Sequence, residues 1–144
     1  MKKQIAVAVA LLAAAIAAGQ CYAQRIALKA DIPFVFQVGN KTMPAGEYWV
    51  QRVNDGDRGL QLIRRTDSSR NALALTNPVD AKDGKSDPVL MFHKYGNSYF
   101  LSEIWTGESQ GRQLLKSERE KELSREATGT EVTVLLHSVP ERGL

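Results

Sequence analysis

The chain has 144 residues, 43 % hydrophobic and 24 % charged, with one cysteine and a formal net charge of +3. A single cysteine excludes a disulfide framework, so stability has to come from a packed core. The positive balance would indicate nucleic acid only if basic side chains clustered without compensation; Arg64, Arg65 and Arg70 are the one basic knot, which reads as a solvated turn, so no nucleic-acid partner is expected.

The opening residues carry the clearest signal. Lys2 and Lys3 precede an apolar run from Ile5 to Ala18, and Cys21-Tyr22-Ala23 ends it with small residues at the third-last and last positions before Gln24. This is the layout of a secretory signal peptide, and the run is shorter than the roughly 20 residues that span a bilayer. Cleavage is expected between Ala23 and Gln24. Lipidation of Cys21 is disfavoured, because Gln20 stands where a lipoprotein signal needs a small residue. Removal of residues 1–23 leaves 121 residues without cysteine and with 17 Lys and Arg against 16 Asp and Glu, a net charge of +1. The expectation is therefore a signal peptide over 1–23 and a single β-rich domain over 24–144. The protein is expected to be exported, periplasmic or extracellular, with no stable membrane span after cleavage.

Apolar residues occupy every second position at Ile26, Leu28, Ala30, Ile32, Phe34, Phe36 and Val38, which predicts an extended strand with one buried face. Val35 is the exception on the polar face, and Pro33 removes a ladder donor, so the strand should lie at an edge, bend or change partner there. Gly39-Asn40 and Met43-Pro44-Ala45-Gly46 are turn signals. Glu47 to Val53, Gly59 to Arg64 and Ala72 to Thr76 read as further strands, with a turn at Asn54-Asp55-Gly56-Asp57 and a solvated loop from Asn77 to Pro88. Pro88 to Tyr95 and Ser98 to Trp105 flank Gly96-Asn97, the best hairpin signal in the chain.

Ser117-Glu118-Arg119-Glu120 matches a capping box, in which Ser117 accepts from the third backbone amide and Glu120 reaches back. A helix from Glu118 to about Ala127 follows, with Glu118–Lys121 and Glu122–Arg125 charge pairs and Gly129 placed to end it. Its apolar face is only Leu123 and Ala127, so it should rest on the surface. Glu131 to His137 is a final strand with Val132, Val134 and Leu136 on one face, and the residues from Ser138 should fray. The sum is an all-β, mainly antiparallel fold: a β-sandwich or small β-barrel of about seven strands with one short α-helix in the C-terminal half.

The segments Ala30 to Phe34 (ADIPF), Gln37 to Tyr48 (QVGNKTMPAGEY), Phe92 to Gly96 (FHKYG) and Tyr99 to Trp105 (YFLSEIW) resemble a family of small exported proteins of unknown function, frequent in acidobacterial-type soil bacteria. The resemblance covers most of residues 24–144 and implies a compact β domain behind a signal peptide. It implies no activity, cofactor or catalytic residue.

His93 and His137, with Glu103 or Glu47, are the only set that would suit a two-histidine, one-carboxylate metal centre, which needs three ligands converging. Two distant strands give no reason for convergence, so no metal and no cofactor are expected. Nucleophilic catalysis by Ser98 or Ser102 with His93 lacks any recognisable spacing, and a carboxylate pair such as Glu103 with Asp31 or Glu47 is available in any chain this acidic. No catalytic residue is assigned. The aromatic strands offer a candidate binding surface at Trp49, Tyr95, Asn97, Tyr99, Glu103 and Trp105, of the kind that holds a sugar ring or a peptide. The expected function is a non-enzymatic binding or structural role in the periplasm or cell envelope, with an envelope glycan or protein as partner. The alternatives are a small-ligand carrier barrel and a hydrolase of envelope polysaccharide or peptide.

Overall fold

Pro33 divides the first period-two run, because a residue without an N–H cannot continue a ladder on both sides. In the computed structural model, which describes residues 28–53, 59–81, 87–107 and 110–139, the run becomes β1 (Leu28–Ile32) and β2 (Phe36–Val38). The buried face survives the break: Leu28, Ala30, Ile32, Phe36 and Val38 all point into one core while Val35 is 57 % exposed. The partners change. β1 pairs with β4 (Gly46–Arg52) and β11 (His137–Ser138), whereas β2 pairs with β3 (Lys41–Met43) and, in parallel, with β8 (Ser98–Trp105). The expected single strand is thus two strands. The cleavage position at Ala23 and Gln24 and the Asn54 to Asp57 turn lie outside the described residues.

Two Gly-Asn turns close the tightest hairpins, β2–β3 and β7–β8, where β7 is Val89–Tyr95. Gly39 and Gly96 stand at φ +59° and +61°, and no described residue other than glycine has positive φ. Positive φ at the first turn residue alone is the type II′ pattern, whose twist suits paired strands.

The remaining strands are β5 (Gly59–Arg64), β6 (Asn71–Asp80), β9 (Gln110–Leu114) and β10 (Thr130–Leu135), and the one helix among the described residues is α1 (Glu118–Glu126). Strands occupy 62 % of the described residues and, the β2–β8 pair apart, their ladders are antiparallel, so the all-β assignment holds. Eleven strands replace the expected seven. A short β segment is expected between the Gly39-Asn40 and Met43–Gly46 turns, and β3 lies there; β9 was too polar to stand out in sequence. β6 runs on through Asn77, Pro78, Val79 and Asp80, where a loop was expected, and pairs Pro78 with Arg112 of β9. Proline is tolerated there because β5 has ended and β6 is laddered on one side only.

The hydrogen-bonded path runs β10-β7-β8-β9-β6-β5-β4-β1-β11, with β2 beside β8 and β3 beside β2. β6 belongs to both halves, giving its first five residues to β5 and its last five to β9. The chain also crosses between the ends of the path at Leu136, since Leu135 pairs with Val89 and His137 with Lys29. The final strand is therefore split, although Leu136 is buried on the same face as the half-buried Val132 and Val134, as the alternation required. Ser138 does not fray but pairs with Leu28. No ladder joins β10 to β11, so the sheet stays open. Among the described residues no helix is long and apolar enough to cross a membrane.

Both halves feed one core. Phe36 meets Tyr48 of β4 edge-on at 5.2 Å and Phe92 of β7 at 5.5 Å, while Phe34 meets Phe92 at 5.0 Å and stacks on Tyr99 at 3.8 Å. Such pairs contribute about 0.5–1.5 kcal/mol beyond the area they bury. Phe92 sits at the middle of this column and is fully buried. Phe92→Ala should cost about 3–5 kcal/mol, read as a lowered urea midpoint, and a loss below about 1 kcal/mol would mean that the column does not hold the fold.

Candidate functional site

A β-bulge decides which side chains of the β7–β8 hairpin reach the surface. Met91 pairs with Glu103 but Phe92 pairs with Leu101, so Ser102 is the extra residue, and its hydroxyl donates to Met91 O at 2.9 Å. Strict alternation is lost: Phe100, Leu101 and Ser102 are all buried in succession. Leu101 and Phe92 enter the main core, whereas Phe100, opposite His93, lies on the outer face with Tyr95, their rings 5.9 Å apart.

α1 is fastened over this outer face. Ser117 caps it by accepting from Glu120 N at 3.2 Å, and Lys121 pairs with Glu118 at 2.7 Å. Glu120 does not complete a capping box. Its side chain, 5 % exposed, turns to the sheet, where Oε1 meets His93 Nδ1 at 2.7 Å and accepts from Tyr95 OH at 3.3 Å. Gly129 does not end the helix, which stops at Glu126 with an extended Ala127. Instead it lets the backbone pass over Tyr95, since a Cβ there would lie 2.7 Å from the ring.

Trp105 is placed in a similar way. It lies one step along the β8–β9 ladder from Ile104–Arg112, over Gly111, where a Cβ would meet the indole at 2.6 Å. Its Nε1 donates to Glu103 Oε2 at 2.8 Å. Tyr95 and Trp105 are each 7 % exposed and cannot serve as open binding surface. Asn97 is exposed in its turn, and Tyr99 is half-buried between Phe34 and Lys94, whose Nζ stands 5.4 Å above its ring. Trp49 is elsewhere, on the outer face of the other half. The six residues expected to share a surface are therefore divided among separate places: Trp49 lies on a strand of the other half, and Gly129 and Gly111 pack against Tyr95 and Trp105.

Trp49 has the more open setting. A cross-strand row runs His137, Lys29, Trp49, Ile63, Asn71 over five strands, all at least partly exposed. Beside it Glu47 Oε1 bridges Arg65 at 3.0 Å and Lys29 at 3.8 Å, and Asp31 faces Glu47 across the ladder at the mouth of a shallow groove that Ile32, Pro33, Ala45 and Gly46 complete. On the other side Gln51 donates to Gln61 at 3.4 Å, and Leu73 and Leu75 stand 59 % and 70 % exposed. An aromatic ring among amides, charged groups and aliphatic carbons suits a ligand that is apolar on one face and hydroxylated or amide-bearing at its rim.

No family model, curated protein or solved structure matches the chain. The site must therefore be read from its own geometry.

The histidines do not meet. His93 engages Glu120, whereas His137 lies in the row with Lys29, and Glu103 and Glu47 are engaged by Trp105 and by Arg65 with Lys29. Among the described residues no three His, Cys, Asp or Glu side chains gather as metal ligands. The Glu120 anchor was missed in sequence, although Glu120, Leu123 and Ala127 share one helical stripe, and extending the thin apolar face by one turn leads to it.

Two phenols carry a pH signature. Burial, partly offset by Arg64 and Arg70, raises the Tyr48 pKa; burial, the Glu120 charge and its hydrogen bond raise that of Tyr95. The unfolded chain gives up these protons first, near pH 10. The stabilisation is thus complete below that pH and falls as pH climbs through the folded values. Unfolding midpoints measured across this alkaline range should drop in the wild type and drop less steeply in Tyr48→Phe and Tyr95→Phe; parallel profiles would contradict the assignment. Gly111→Ala should destabilise by about 1–3 kcal/mol through overpacking against the indole. Combining it with Trp105→Ala should recover part of that loss in a double-mutant cycle, and simple additivity would show that the two do not touch.

Proposed function

We propose that this chain is an exported binding module of the cell envelope, one domain over residues 24–144, that presents the outer face around Trp49 to an envelope glycan or protein. The observation that carries this reading is the contrast between inside and outside. Tyr48, Phe36, Phe92, Leu62, Leu90 and Ile104 from both halves are fully buried together, and the rings of the first three are in contact. A carrier needs that volume for its ligand. Trp49, in contrast, stands in the open row of partly exposed side chains that crosses five strands.

The opening Lys2-Lys3 and the apolar run to Ala18 support export, and the resemblance to small exported proteins of acidobacterial type agrees with it. In this reading the two halves form a sandwich rather than a barrel, with β6 and the β10–β11 segment as the corners that cross between them. A hydrolase is the weaker reading. The Ser102 hydroxyl is spent on Met91 O, which leaves the His93–Glu120 pair without that nucleophile.

Glycan and peptide arrays probed with the secreted protein test the proposal. Trp49→Ala should weaken the best ligand about 30-fold, the loss expected for an aromatic hot spot worth about 2 kcal/mol, while Tyr99→Ala, on the other half, should leave it unchanged. Indifference of every ligand to Trp49→Ala would refute the assignment of the face. Amino-terminal sequencing of the secreted form should begin at Gln24.

A further inference from the structure

α1 is a helix of nine residues whose one buried side chain is a glutamate. Isolated helices shorter than about 12 residues are marginal in water, and packing of an apolar stripe normally supplies what is missing. Here the stripe is only half-buried Leu123. What fastens the helix is polar and local: Glu120 Oε1 takes His93 Nδ1 at 2.7 Å and Tyr95 OH at 3.3 Å. The second fastening is Gly129, whose backbone lies over the same Tyr95 ring. Both grip β7, Glu120 at residues 93 and 95 and Gly129 at residue 95.

The ends of this segment are pinned independently of it. Leu114 closes the β9 ladder opposite Thr76, and Thr130 opens the β10 ladder opposite Lys94. Residues 115–117 and 127–129 have no regular structure, and Leu115 is 70 % exposed. The ladders of β7 to β8 and β10 involve no residue of α1. No backbone ladder of the sheet therefore includes the helix.

We propose that residues 115–129 form a strap that lifts from β7 as a unit, hinged at β9 and β10, while the sheet stays folded, and that lifting it uncovers Tyr95 and Phe100 as an aromatic face. Glu120 is the latch. On release its carboxylate exchanges two protein donors for water, a small change for a charged group, and α1 loses its anchor and melts. The opening belongs at the low end of the local-stability range, while β7 and β8 belong near the global limit.

Native-state hydrogen exchange on the full chain decides this without any variant. Amides of residues 121–127 should exchange about 100-fold faster than the laddered amides of β7 and β8 under the same conditions. Glu120→Gln, which keeps an acceptor but removes its charge, should quicken α1 about fivefold further and leave β7 and β8 unchanged. Nitration of Tyr95 should rise in step. Exchange of α1 and of β7–β8 at one common rate would overturn the proposal, as would equal acceleration of both by Glu120→Gln, since either makes the strap part of one cooperative unit with the sheet.

Discussion

The edge-to-face column Tyr48–Phe36–Phe92 ties the two halves of the sheet together, with β4 on one side, β7 on the other and β2 between them. The described chain contains no cysteine, so packing has to do what a disulfide does in cross-linked domains. Aromatic rings suit the task because each buries a large area in few rotamers. The column also sets the outside: because Tyr48 points in, its neighbour Trp49 must point out, and because Phe92 points in, His93 must face α1. Tyr48 adds a polar tie by donating its hydroxyl to Pro44 O, which fixes the turn that carries the chain from β3 to β4.

Segments whose local chemistry and tertiary role agree were legible in sequence. The β7–β8 hairpin, β5 and the Ser117 cap fall where turn residues, period-two alternation and capping chemistry place them. The failures share a cause. Pro33 and Leu136 are points where an unbroken alternation continues while the hydrogen-bonding partner changes, and periodicity reports the buried face but not the partner. Pro78 looked like a loop because proline is costly in a central strand, yet the second half of β6 has one partner only. The Ser102 bulge has no sequence signature, and it places Phe100 on the outer face while Leu101 enters the core.

The candidate surface was legible only in part for the same reason. Trp49 was singled out and does stand on an outer face, but Tyr95 and Trp105 were singled out too and lie under Gly129 and over Gly111. In both cases a glycine across from an aromatic ring removes the side chain that would hold the backbone off. The glycines themselves were visible; the pairing that brings each to its ring was not. Glu120 was passed over in the same manner, as one of several carboxylates on a short charged helix, although it lies on the Leu123–Ala127 stripe that faces the sheet.

Interior and surface thus differ: the inside is given to rings that lock the halves, and Trp49 is left partly exposed on an outer face. The most direct measurement is an NMR titration of the folded protein with xenon and with small apolar probes, following the ring signals of Phe36, Tyr48 and Phe92 and the methyl signals of Leu62 and Leu90. A filled interior predicts no saturable shift at these positions. Saturable shifts confined to them would reveal a ligand-sized cavity and contradict the account.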